Sequence, residues 1–70
     1  MKEIRIKDEY IKLGQAMKLA NLVDSGVDAK FVITDGYVTV NGEKEERRGR
    51  KLYPGDVFAY RGEEVKVVCG

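Results

Sequence analysis

Ile4 and Ile6 alternate with Glu3, Arg5 and Lys7, the two-residue period of a strand with one buried face, which predicts a short edge strand at the start of the chain. Tyr10 and Ile11 follow in a stretch without a clear period. From Leu13 the period lengthens. Leu13, Ala16, Met17 and Ala20 recur at helical intervals, with Gly14, Gln15, Lys18 and Asn21 opposite them, which predicts a helix over residues 13–21. Ser25 is placed to cap a second helix, and Asp28, three residues on, can return a hydrogen bond in the manner of a capping box. Ala29, Val32 and Ile33 form the apolar side of that helix, and Gly36 supplies the left-handed residue that stops it, so it is predicted over residues 26–35. The short connection allows a tight corner and makes the two helices a helix-turn-helix-like pair.

Beyond Tyr37 the pattern returns to alternation. Val38 and Val40 alternate with Tyr37 and Thr39, and Asn41-Gly42 is the strongest two-residue hairpin signal a sequence can carry. Pro54-Gly55 and Arg61-Gly62 read as two further turns, the second joining strands at residues 57–60 and 65–68. The expectation is an α+β fold in which two helices pack on a small, bent, mostly antiparallel sheet of four to five strands. No linker or repeat divides the chain, so residues 1–70 are read as one domain.

Composition narrows the chemistry. Seventy residues suffice for a small core and exclude a two-domain enzyme with an interdomain cleft. There is no histidine, and Cys69 is the single cysteine, which excludes an intramolecular disulfide and a histidine- or thiolate-rich zinc site. No nucleophile–base set, phosphate loop or metal-spaced carboxylate cluster appears, so no catalytic residue and no cofactor are expected. No apolar run approaches the roughly 18 residues of a membrane span, and the first residues lack a signal peptide's apolar block, so a cytoplasmic location is expected.

Thirteen basic against twelve acidic residues leave a formal charge of +1, so placement rather than total charge must decide any polyanion partner. Arg47, Arg48, Arg50 and Lys51 crowd one short loop after the acidic run Glu43-Lys44-Glu45-Glu46, and local pairing with the neighbouring glutamates is one reading of them. The other reading adds Lys12, Gln15 and Lys18 on or beside the solvent side of the first helix, and Lys30 off the buried side of the second. Together these cations could converge on one face, the footprint expected for a phosphate backbone. The start of the second helix, at Ser25 and Gly26, offers unpartnered amides, although Asp24 and Asp28 stand close to it. Phe31 and Tyr37 project away from the apolar faces, as packing residues or as rings for base stacking.

The run Ala29-x-x-x-Ile33-x-x-Gly36-x-Val38-x-Val40-Asn41-Gly42, with Ser25 before it and Tyr53-Pro54-Gly55-Asp56-Val57 after it, resembles the S-four RNA-binding domain. That domain is named after the fourth small-subunit ribosomal protein and is also called the alpha-L motif; the resemblance spans roughly residues 10–60. It implies a helix-turn-helix-like pair followed by a bent antiparallel sheet, and binding to structured RNA. The RNA contacts it implies fall on Lys12, Gln15 and Lys18, on Ser25, Gly26 and Lys30, and on Arg47, Arg48, Arg50 and Lys51. Two positions depart from the family pattern: Lys12-Leu13-Gly14 stands where many members have Arg-Leu-Asp, and Ser25-Gly26 where a Ser-Arg pair is common.

The expectation is therefore a monomeric, non-catalytic module that grips ribosomal or transfer RNA, with no membrane or small-molecule partner. The alternative is a protein-interaction module that docks a partner on an open sheet edge or on the Phe31 surface.

Overall fold

The computed structural model describes all 70 residues, in the order β1 (Lys2–Ile6), β2 (Ile11–Lys12), α1 (Leu13–Leu19), α2 (Gly26–Thr34), β3 (Val38–Val40), β4 (Glu43–Lys44), β5 (Lys51–Leu52), β6 (Val57–Tyr60) and β7 (Glu63–Cys69). Five strands form one sheet in the order β1-β7-β6-β3-β4, and β2 and β5 form a separate antiparallel ribbon. The pairings β3–β4, β3–β6 and β6–β7 are antiparallel, whereas β1 lies at the edge, parallel to β7. The α+β expectation and its edge strand are met.

Turn chemistry sets the strand register. Asn41 and Gly42 both take positive φ, 52° and 86°, the geometry of a two-residue hairpin loop whose twist suits its strands. The Asn41 side chain fastens that corner to β6: its Oδ1 accepts from the Val57 amide at 3.0 Å, and its Nδ2 donates to Asp56 Oδ1 at 3.2 Å. Arg61-Gly62 repeats the arrangement between β6 and β7, which places Tyr60 opposite Glu63.

Both helices end the same way. Asn21 adopts φ 60°, the Leu22 amide donates back to the Met17 carbonyl and the Asn21 amide to that of Lys18. Gly36, at φ 85°, does this for α2, with Tyr37 donating to Val32 and Gly36 to Ile33. The left-handed Asn21 stops α1 short of the predicted end at residue 21. At the start of α2 half of the predicted capping box forms: Ser25 Oγ accepts from the Asp28 amide at 3.2 Å, with no return bond from the Asp28 carboxylate.

The core lies between the helix pair and the sheet. Leu13, Ala16, Met17 and Ala20 from α1 and its end meet Ala29 and Ile33 from α2. Beneath them lie Ile4, Ile6, Val38, Val40, Phe58, Val65 and Val67 from the sheet and Leu52 from the ribbon. Small residues on the helix faces let the two helices approach closely, and Phe58, fully buried, fills the sheet side. Val32, predicted on the apolar side of α2, is half-buried at the margin of this core.

Candidate nucleic-acid interface

The start of α1 has no side-chain cap: Lys12 precedes it in extended conformation without such a bond. Its first amides are instead satisfied by another part of the chain, because Leu13 donates to the Arg50 carbonyl at 2.8 Å and Gly14 to the Arg48 carbonyl at 3.1 Å. The ribbon fixes this approach by pairing Ile11 with Leu52 and Lys12 with Lys51. Gly14 makes it sterically possible. A Cβ at Gly14 would lie 2.7 Å from Arg48 Cγ, a distance at which atoms must move. The Gly14 departure from the family pattern therefore has a physical role: it seats the 47–51 loop on the mouth of α1.

A polar groove results, of about 290 Å³, lined by Lys12, Gly14, Gln15 and Lys18 from the ribbon and α1, Gly26 from the start of α2, and Arg48 and Gly49 from the loop. No lining residue is hydrophobic and none is acidic. The ion pairs of the chain all end on Glu45, so Lys12, Lys18 and Arg48 face the groove without a carboxylate partner. Lys12 and Lys51 also stand directly opposite each other, a like-charge cross-strand pair that costs stability in isolation. With Ser25 Oγ holding the Asp28 amide, the first amides of α2 remain without an intrahelical partner, and Gly26, the first of its residues, lines the groove. Cations and free amides around an acid-free hollow suit an anion with several oxygens.

Arg47 and Arg50 behave differently from Arg48. Glu45 is the single buried charged residue, 5% exposed, and its carboxylate accepts from the Arg47 backbone amide, Arg47 Nε and Nη2, and Arg50 Nη1 at 3.1, 2.9, 3.1 and 2.6 Å. Hydrogen bonding from the Arg47 side chain, joined by that of Arg50, outweighs desolvation and lowers the Glu45 pKa to about 2. The same contact raises the Arg47 pKa above its ordinary value. This carboxylate organises the loop from inside, so Arg47 and Arg50 are paired locally, whereas Arg48 has no carboxylate partner.

The remaining sequence candidates are dispersed. Ser25 caps α2, Lys30 lies exposed on α2 away from the groove lining, and Lys51 Nζ sits 4.8 Å over the Tyr10 ring. Phe31 and Tyr37 are 59% and 66% exposed, and neither borders the groove. Sequence reasoning missed Gly14 and Gly49 as groove residues and the burial of Glu45. A glycine inside a predicted helix is a detectable sign of close approach; the Glu45 role depends on burial, which no local pattern encodes.

The model of the S4 domain family matches residues 4–68. The chain belongs to the S4 domain family. This S4 domain is 49% identical over 59 residues to the Bacillus subtilis (strain 168) protein named "Probable ribosome maturation protein RlbA", a match covering 84% of this chain and 83% of that one. It is 34% identical over 63 residues to "Putative RNA-binding protein YbcJ" of Escherichia coli (strain K12), covering 90% of each. The solution structure of E. coli YbcJ, described as revealing an alpha-L motif involved in RNA binding, superposes with a TM-score of 0.75 at 32% identity, over 97% of this chain and 87% of that one. The S4 domain is an RNA-binding module, and the resemblance seen in the sequence is met by family model and structure alike. No helix of this S4 domain is long and apolar enough to cross a membrane.

Proposed function

We propose that this S4 domain acts as a monomer that grips structured RNA by its phosphate backbone. The site is the groove formed by Lys12, Gln15, Lys18, Gly26, Arg48 and Gly49. The carrying observation is the acid-free lining of that groove, with three cations that have no carboxylate partner. Ribosomal RNA is the favoured target, in keeping with the name of the B. subtilis relative, and transfer RNA the second. Lysine and arginine replace condensed counterions, and the rigid helix pair fixes their spacing. Arg47 and Arg50 support the groove indirectly, through Glu45 and the loop that presents Arg48.

Three phosphate contacts give a slope of log affinity against log salt of roughly −2 to −3, at about 0.7 to 0.9 per contact. Titrating a ribosomal RNA fragment at several salt concentrations should return that slope, and Lys12→Glu, Lys18→Glu and Arg48→Glu together should abolish binding while circular dichroism is unchanged. Salt-independent binding, or binding that survives the triple charge reversal, would falsify the proposal.

A protein-docking reading draws on a different surface, where exposed Phe31 joins Leu22, Val23, Val32 and Tyr60 around a shallow hollow. A partner held there should be retained by the triple variant and lost on Phe31→Ser.

A further inference from the structure

A second concavity, of about 390 Å³, adjoins the groove and shares Gln15 with it. Its character is different. Tyr10, Ile11 and Leu19 give it an apolar floor, and Arg5 and Lys7 give it cations. Leu19, in the last turn of α1, is 53% exposed, and no part of the chain covers it. The Tyr10 ring is held in place from its other contacts: Tyr53 lies 5.9 Å away, centroid to centroid and tilted by 50°, and Lys51 Nζ lies 4.8 Å from its centre.

We propose that this hollow receives one unpaired nucleotide of the RNA held in the groove, its base on Tyr10, Ile11 and Leu19 and its phosphate toward Arg5 and Lys7. The inference rests on the backbone reading above. Charge and continuity select the occupant. A phosphodiester chain leaving the groove past Gln15 meets two further cations, and neither is ion-paired. Paired bases offer no open face, so an apolar floor at this position suits a base splayed out of a loop or bulge. The Gln15 amide carries both donors and an acceptor, and the Asp8 carboxylate, which also lines the hollow, is an acceptor for an exocyclic amine of the base.

The test compares RNA hairpins carrying a single bulged 2-aminopurine at successive positions with a fully paired hairpin of the same length, by fluorescence and competition at fixed salt. Wild-type protein should prefer at least one bulged hairpin by roughly tenfold, the scale of one base seated on an apolar or aromatic surface, with a change in 2-aminopurine emission. Leu19→Ser, at an exposed position, should erase the preference and keep the affinity for the paired hairpin. Lys7→Gln, also at an exposed position, should reduce the preference. Equal binding of every bulged and paired hairpin by wild type, or a preference untouched in Leu19→Ser, overturns this inference and leaves the groove reading standing. Binding to no hairpin at all overturns the groove reading and this inference with it.

Discussion

Replacing Glu45 by glutamine preserves size and removes a charge from the one buried acid of the chain. Four hydrogen bonds end on that carboxylate, three from Arg47 and one from Arg50. The glutamine amide turns one accepting oxygen into a donor that faces a guanidinium. A pKa of about 2 against an ordinary 4.5 corresponds, at about 1.4 kcal/mol per pH unit, to roughly 3 kcal/mol before screening. The Arg47 side chain is 75% exposed, so solvent screening and side-chain freedom reduce this to about 1–2 kcal/mol. For a domain of this size that is a fall in Tm of roughly 5–15 °C. The folded-state pKa lies below the unfolded one, so the contribution is complete above about pH 4.5 and is lost as pH falls through about 2. Urea denaturation of both proteins, followed by circular dichroism at neutral pH and at steps down to pH 2, checks this. The gap in stability should be full at neutral pH, narrow below pH 4.5 and nearly close at pH 2. No gap at neutral pH, or one that stays constant to pH 2, refutes the claim that this ionised carboxylate holds the loop.

Two further substitutions probe the groove. Gly14→Ala places a Cβ 2.7 Å from Arg48 Cγ, so the arginine must swing away; RNA affinity should fall about tenfold, the scale of one hydrogen bond to a charged group. The effect should vanish in an Arg48→Gln background, since both changes remove one contact, and additive losses in the double variant would contradict this. Gly26→Arg acts in the opposite direction, because nothing lies within 4 Å of a Cβ there and its φ is not positive. It should steepen the salt slope by about 0.7 to 0.9 and tighten binding at low salt, against a helix-dipole cost of about 0.3–1 kcal/mol. An unchanged slope would mean that the start of α2 does not face phosphate.

The fold was legible wherever a local rule governs the backbone. Ser25, Gly36, Asn41-Gly42 and Arg61-Gly62 each act within a few residues of themselves, and each does what its chemistry predicts. Asn21 shows the limit: its polar side of the helix pattern was visible, but the same side chain tolerates the left-handed conformation that ended α1 early. The ribbon between β2 and β5 was not legible, since two paired residues on each strand carry no period and Ile11-Lys12 must first be brought to Lys51-Leu52 by the rest of the fold. The groove divides along the same line. Gln15, Lys18 and Gly26 could be placed on the predicted helices from their spacing, whereas the position of Lys12 depends on the ribbon, and the separation of Arg48 from Arg47 and Arg50 on a carboxylate whose burial is a tertiary fact.

That separation bears on how a chain with a formal charge of +1 can present a face to a polyanion. Long-range attraction from net charge is negligible here, so the field must come from local sorting within about a Debye length. Glu45 takes the charge of two arginines and, in doing so, turns the loop carbonyls of residues 48 and 50 onto the first amides of α1. Asp24 and Asp28, the acids nearest the start of α2, border the hollow with Leu22, Val23 and Phe31 and do not line the groove. On the proposed reading, three cations without a carboxylate partner act across a short distance, which concentrates the attraction at contact and makes affinity depend on fit to a rigid backbone shape more than on overall charge. A mobile, uniformly charged polyanion of equal charge density should accordingly bind more weakly than folded RNA, and equal affinity for heparin and a structured ribosomal fragment at matched salt would show that shape plays no part.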